Sequence, residues 1–180
     1  MRSYRSLRRA PTLLAVTLLL SCNGTTVPEP ERGMFAGRWD GKLWIGDASA
    51  FLATGDPGEA DDVLYVYGSR PRGAPLGYVD ESLSANVAFT GPGVYSLGPE
   101  DVRFIELIGG DVIAAEYSGS GEPAGSLRIT RYDGPGGVIE GELTFSATTR
   151  SEDASYGPTA RLEDGKFRAT VNVPELARSP

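Results

Sequence analysis

Between residues 34 and 173 apolar and polar side chains alternate with a period of two, and Gly or Pro interrupts the alternation at short intervals. In Val138 to Thr149, Ile139, Leu143, Phe145 and Ala147 share one parity, while Glu140, Glu142, Thr144 and Ser146 share the other. Leu83, Ala85, Val87 and Phe89 stand in the same way against Ser84, Asn86 and Thr90, as do Leu127 and Ile129 against Arg128 and Thr130. Such alternation predicts strands with one core face and one solvent face. No helical period is sustained in this region.

Turn chemistry predicts how the strands connect. Asp40-Gly41 suits a two-residue type I′ hairpin, whose two central residues need positive φ. It pairs Trp39 with Lys42, Arg38 with Leu43 and Gly37 with Trp44, which puts Phe35, Trp39 and Trp44 on one face. That clustering favours a core or sheet-end position for both tryptophans over an exposed sugar-stacking platform. Asp164-Gly165 predicts a second hairpin, with Glu163 opposite Lys166, Leu162 opposite Phe167, Arg161 opposite Arg168 and Ala160 opposite Ala169. Gly109-Gly110 predicts a third, between Val102 to Ile108 and Asp111 to Tyr117. The strands flanking it are apolar at both parities, so they are expected to be central and buried on both faces. The expected fold is all-β: a single antiparallel β-sandwich of about nine to eleven mostly hairpin-connected strands, with a flattened up-and-down β-barrel as the alternative.

The N-terminus follows another pattern. Arg2, Arg5, Arg8 and Arg9 precede the apolar stretch Ala10 to Leu20, which is too short to span a bilayer permanently and reads as a secretory signal. It closes on Leu19-Leu20-Ser21-Cys22, and Cys22 is the sole cysteine of the 180-residue chain. This run resembles the lipobox of bacterial lipoproteins. The resemblance implies cleavage before Cys22, a diacylglyceryl group on its sulfur and acylation, as with palmitate, of the new N-terminus. Several acyl chains anchor stably where one holds only marginally. Asn23 in place of an aspartate implies sorting to the outer membrane.

Residues 22–33, rich in Pro, Thr and Glu, are expected to form a flexible tether. Extended polyproline geometry at about 3.1 Å per residue would let it reach roughly 30 Å. The divisions are therefore residues 1–21 as signal peptide, 22–33 as lipidated tether, 34–173 as one β-domain and 174–180 as a C-terminal tail. Loss of the signal removes four arginines and no acid, leaving 13 basic residues against 24 acidic ones, a formal charge of −11. So acidic a surface repels nucleic acid, which is excluded as a partner, and membrane contact is expected only through the lipid on Cys22.

Several segments carry a second resemblance: Trp39-Asp-Gly-Lys-Leu-Trp44, Thr90-Gly-Pro-Gly-Val-Tyr-Ser-Leu-Gly98, Gly125-Ser-Leu-Arg-Ile-Thr-Arg-Tyr-Asp133, Gly141-Glu-Leu-Thr-Phe-Ser-Ala147 and Asp164-Gly-Lys-Phe167. In order and spacing they look like an uncharacterised family of Gram-negative lipoproteins. That resemblance implies a β architecture and a lipid anchor, and it carries over no functional residue except Cys22.

The chain contains no histidine. Histidine-based acid–base catalysis, Ser-His-Asp or Cys-His nucleophilic sites, and nitrogen or sulfur zinc sites are thereby excluded. No cofactor is expected. Asp56, Glu59, Asp61 and Asp62 form an acidic loop with enough oxygens to be a weak calcium candidate, without EF-hand spacing. Arg70 and Arg72, positive charges on an acidic domain, are weak partner-contact candidates. The leading expectation is a monomeric, lipid-anchored cell-envelope protein whose β-domain is a non-enzymatic binding or structural module for an unknown envelope protein or small ligand. The alternatives are a carrier of small apolar ligands or lipids with a barrel cavity, and a carboxylate-based glycoside hydrolase, which would need two acids across a cleft.

Overall fold

The computed structural model describes residues 26–54, 62–71, 79–109 and 112–173. Ten strands run through them: β1 (Met34–Trp39), β2 (Lys42–Ala53), β3 (Val63–Pro71), β4 (Val79–Ala88), β5 (Gly93–Leu97), β6 (Val102–Ile108), β7 (Val112–Gly119), β8 (Gly125–Tyr132), β9 (Val138–Thr148) and β10 (Thr159–Asn172). There is no helix among the described residues. The fold is all-β, as the alternation requires.

All ten strands belong to one sheet, in the order β1-β10-β2-β3-β4-β6-β7-β9-β8-β5, with additional β1–β2 and β10–β9 pairings. Those pairings carry the sheet round on itself through β1, β2, β3, β4, β6, β7, β9 and β10, so its two halves face each other across a shared interior. The β8–β5 pair extends from the far edge of β9. Pairing is antiparallel except where β10 meets β2 side by side, Val171 opposite Ala50 and Asn172 opposite Phe51.

The β1–β2 hairpin forms in the predicted register, Trp39 opposite Lys42 and Gly37 opposite Trp44. Asp40 and Gly41 take φ of 49° and 73°, as a type I′ turn demands. Both tryptophans are fully buried. Phe35 meets Trp44 edge-on at 5.4 Å between centroids, and Trp39 stacks on Phe104 at 4.0 Å with Tyr117, Phe145 and Tyr156 around it. One continuous cluster fills the interior, taking inward residues from every strand, Leu64 and Val66 on β3 and Leu83, Ala85 and Val87 on β4 among them. Each such aromatic or aliphatic side chain contributes about 1.5–3 kcal/mol by leaving water.

One turn expectation and one burial expectation are corrected. Asp164-Gly165 does not reverse the chain, because β10 is a single 14-residue strand. It pairs with β9 from Thr159 to Thr170 and shifts register between Leu162 and Gly165. The positive φ that Asp-Gly allows, 51° at Asp164, makes a bulge here instead of a turn. Gly165 is needed because a Cβ there would lie 2.3 Å from the Leu143 carbonyl oxygen. Arg161 and Arg168 are consequently not opposed; they reach Glu163 and Glu140 at 3.4 and 3.2 Å. The β6–β7 pair does sit inside the sheet, but it is buried on one face alone. Ile108, Val112 and Ile113 are exposed near its turn, where a register shift between Glu106 and Leu107 displaces the alternation.

From Thr26 onward, the stretch expected to be a free tether lies along the domain. Glu29 pairs with Lys166 on β10, and the Gly33 N–H donates to the Arg168 carbonyl at 2.7 Å.

Candidate functional site

Two glutamates point into the interior at the end of the ring that holds the Asp40-Gly41 turn. Glu81 continues the inward parity of Leu83, Ala85 and Val87, and Glu106 continues that of Val102 and Phe104. They are direct cross-strand partners on β4 and β6, and they are 1% and 0% exposed. Carboxylates removed from water this far need donors on their oxygens. Glu81 receives the Trp44 indole N–H at 2.7 Å, the Arg70 Nε–H at 2.9 Å, a second and closer Arg70 contact through Nη2, and the Tyr156 hydroxyl at 2.8 Å. Glu106 receives the Tyr117 hydroxyl at 3.2 Å and the Ser155 N–H at 3.1 Å.

The Tyr156 N–H donates to the Tyr117 oxygen at 3.3 Å, and Lys42 lies 5.9 Å from the centre of the Tyr156 ring. The network therefore binds the 149–158 connection across this end of the ring. Burial, and secondarily the Glu106 carboxylate, push the Tyr117 hydroxyl up to about 12. The Trp39 Nε1 has no hydrogen-bond partner among the described residues; it is enclosed by aromatic rings. Chemically, the cluster clamps a loop and saturates two buried acids.

The second feature lies outside. On the solvent face of β2 and β3, Phe51 meets Tyr65 at 6.1 Å between centroids, and Tyr65 and Tyr67 lie parallel at 6.3 Å and 10°. Phe51 and Tyr65 are half-buried against the sheet, and Tyr67 is exposed. Beside this row, a groove between β4 and β5 is lined by Val63, Asn86, Tyr95 and Asp101. There the Asn86 Nδ2 donates to Asp101 Oδ1 at 3.3 Å, and Asp101 Oδ2 accepts from the Gly98 N–H at 2.7 Å.

Arg70 belongs to the interior network, its guanidinium turned onto Glu81. Asp62 sits at the entry to β3, where its carbonyl accepts from the Phe89 N–H at 2.6 Å. Cys22, Asp56, Glu59, Asp61 and Arg72 lie outside the described residues. Neither the glutamate pair nor the outer aromatic row was singled out from sequence. The signal for Glu81 was the extension of the β4 parity by one step; that for Tyr65 and Tyr67 was their alternation with Leu64 and Val66.

An all-β domain with a filled interior, a buried glutamate network at one end and an aromatic row on its outer face is the class these features define. No protein-family model, no curated protein and no solved structure matches this chain.

Proposed function

We propose that this protein is a lipid-anchored cell-envelope protein, held at the outer membrane through acyl chains on Cys22, and that its β-domain is a non-enzymatic binding or structural module. The observation that carries this reading is the filled interior. Trp39, Trp44, Tyr117, Phe35, Phe104 and Phe167 are all fully buried there, in the space where a carrier would keep its cavity. Binding is thereby directed to the outer surface. The hydrolase alternative draws some support from the Glu81 and Glu106 juxtaposition. Its mechanism, however, needs a sugar between two accessible carboxyl groups, whereas these face side chains and the 149–158 connection.

The anchor and the domain fit together. Thr26 follows Cys22 by four residues, so the intervening chain spans at most about 14 Å. Val27 and Glu29 lie beside Lys166, which brings the outer face of β9 and β10 closest to the bilayer. On that face cations and acids alternate in pairs: Arg128 with Glu142, Arg168 with Glu140, and Arg131 with both Glu140 and Asp133. A balanced face approaches anionic head groups without the repulsion that the domain's net charge would impose. Fractionation of cells producing Cys22→Ser tests the reading. The variant is expected to leave the membrane fraction; its retention there would overturn the anchor.

A further inference from the structure

The outer aromatic row lies on β2 and β3, which the β10–β2 pairing joins to the strands on which the N-terminal stretch rests. The registers set this face in rows. Asn172, Phe51, Tyr65 and Asn86 stand side by side across β10, β2, β3 and β4. In the next row Tyr67 stands between Ser49 and Ser84. From β10 to β4 neither row contains a formal charge, although the chain as a whole carries a net charge of −7; on β6, beside Ser84, Arg103 is paired with Glu116 at 2.7 Å.

Three neighbouring rings, Tyr65 and Tyr67 parallel and Phe51 tilted by 58° to Tyr65, offer apolar surface, and the amides and hydroxyls around them both donate and accept. No hydrogen bond to another described residue engages the Tyr65 or Tyr67 hydroxyl. Serine, which flanks Tyr67 on both sides, is depleted at the cores of protein interfaces, and an ionic ligand would require charge within these rows. The complement of this face is a neutral polyhydroxylated chain. The C–H face of each sugar ring stacks on an aromatic ring, and its equatorial hydroxyls meet asparagine and serine. The groove beyond Asn86 extends the surface, with Asp101 as acceptor and Tyr95 as a further ring.

We propose that the β2–β3–β4 outer face binds a neutral, β-linked glycan chain, with Tyr65 and Tyr67 as stacking residues and Asn86 as the polar contact leading into the β4–β5 groove. This rests on reading the domain as a binding module, and it names the ligand class of that module.

The test is calorimetric titration of the full-length protein in detergent with two neutral probes, hexa-N-acetylglucosamine and cellohexaose. Saturable binding to at least one is expected, with Kd between about 10 μM and 1 mM. Tyr67 is 38% exposed, so Tyr67→Ala is expected to keep the wild-type melting curve while weakening binding about tenfold or more. Asn86→Ala, at the groove entrance, is expected to weaken it in the same direction. Absence of binding to both probes up to about 10 mM, or binding that neither variant changes, overturns the proposal. So does a concentration-dependent dimer abolished by Tyr67→Ala, which assigns the face to a second copy of the chain. If no glycan binds while Cys22 carries lipid, the glycan inference alone fails; if glycan binds and Cys22 is unmodified, the anchor fails instead.

Discussion

Arg70→Met removes a guanidinium from a buried carboxylate while keeping most of the side-chain volume. Glu81 has no exposed side-chain surface, and Arg70 retains 21%. Breaking a buried ion pair by deleting one partner costs about 3–5 kcal/mol, chiefly because the remaining charge stays desolvated. The Trp44 N–H and the Tyr156 hydroxyl still reach Glu81, and the partly open Arg70 position lets water approach. The expected loss is therefore at the lower end, about 3 kcal/mol, or a fall in melting temperature of about 10 °C for a domain of this size. Urea unfolding followed by tryptophan fluorescence measures it directly, since Trp44 lies within the network. Glu81→Leu combined with Arg70→Met removes both charges, and the double variant is expected to be less damaged than the two single losses summed, by about 2 kcal/mol of coupling. An Arg70→Met loss below about 1 kcal/mol would show that Glu81 does not depend on its cation, and would refute the reading of this end as a charge-compensated clamp.

Other expectations follow from the same structure. With the Tyr117 hydroxyl at about 12 when folded and about 10 when unfolded, the unfolded chain loses its proton first as pH rises. Stability should therefore be unaffected below about pH 10 and fall by about 2–3 kcal/mol by about pH 12, and Tyr117→Phe should flatten this slope in pH-resolved denaturation. Gly165→Ala places a methyl 2.3 Å from the Leu143 carbonyl and should cost about 2–4 kcal/mol in urea unfolding; a loss under about 1 kcal/mol would contradict the β9–β10 bulge. Gly41→Ala meets no neighbouring atom but keeps a φ of +73°, so only the left-handed strain of about 1–2 kcal/mol should appear.

Legibility in the sequence followed the physical strength of each signal. Alternation in β4 and β9 was strong because one face meets solvent and the other the core, and the Asp40-Gly41 turn was readable because its type I′ geometry leaves few alternatives. Asp164-Gly165 carries the same dipeptide yet forms a bulge. The difference comes from β1 and β9, which pair with β10 from both sides and hold it straight, and such flanking strands leave no local mark. Burial of β6 and β7 on both faces was inferred from their apolar content, but Ile108, Val112 and Ile113 stay exposed beside the turn. Glu81 and Glu106 escaped notice because a charged residue at an inward parity reads as the end of a strand. Only the pairing of β4 with β6, across the intervening β5, brings them together.

The most direct measurement of the central claim is mass spectrometry of the N-terminal peptide from protein purified out of native membranes. The expected peptide begins at Cys22 and carries the mass of a diacylglyceryl group plus an amide-linked acyl chain. A mature N-terminus that is unmodified, or that begins downstream of Cys22, would contradict it.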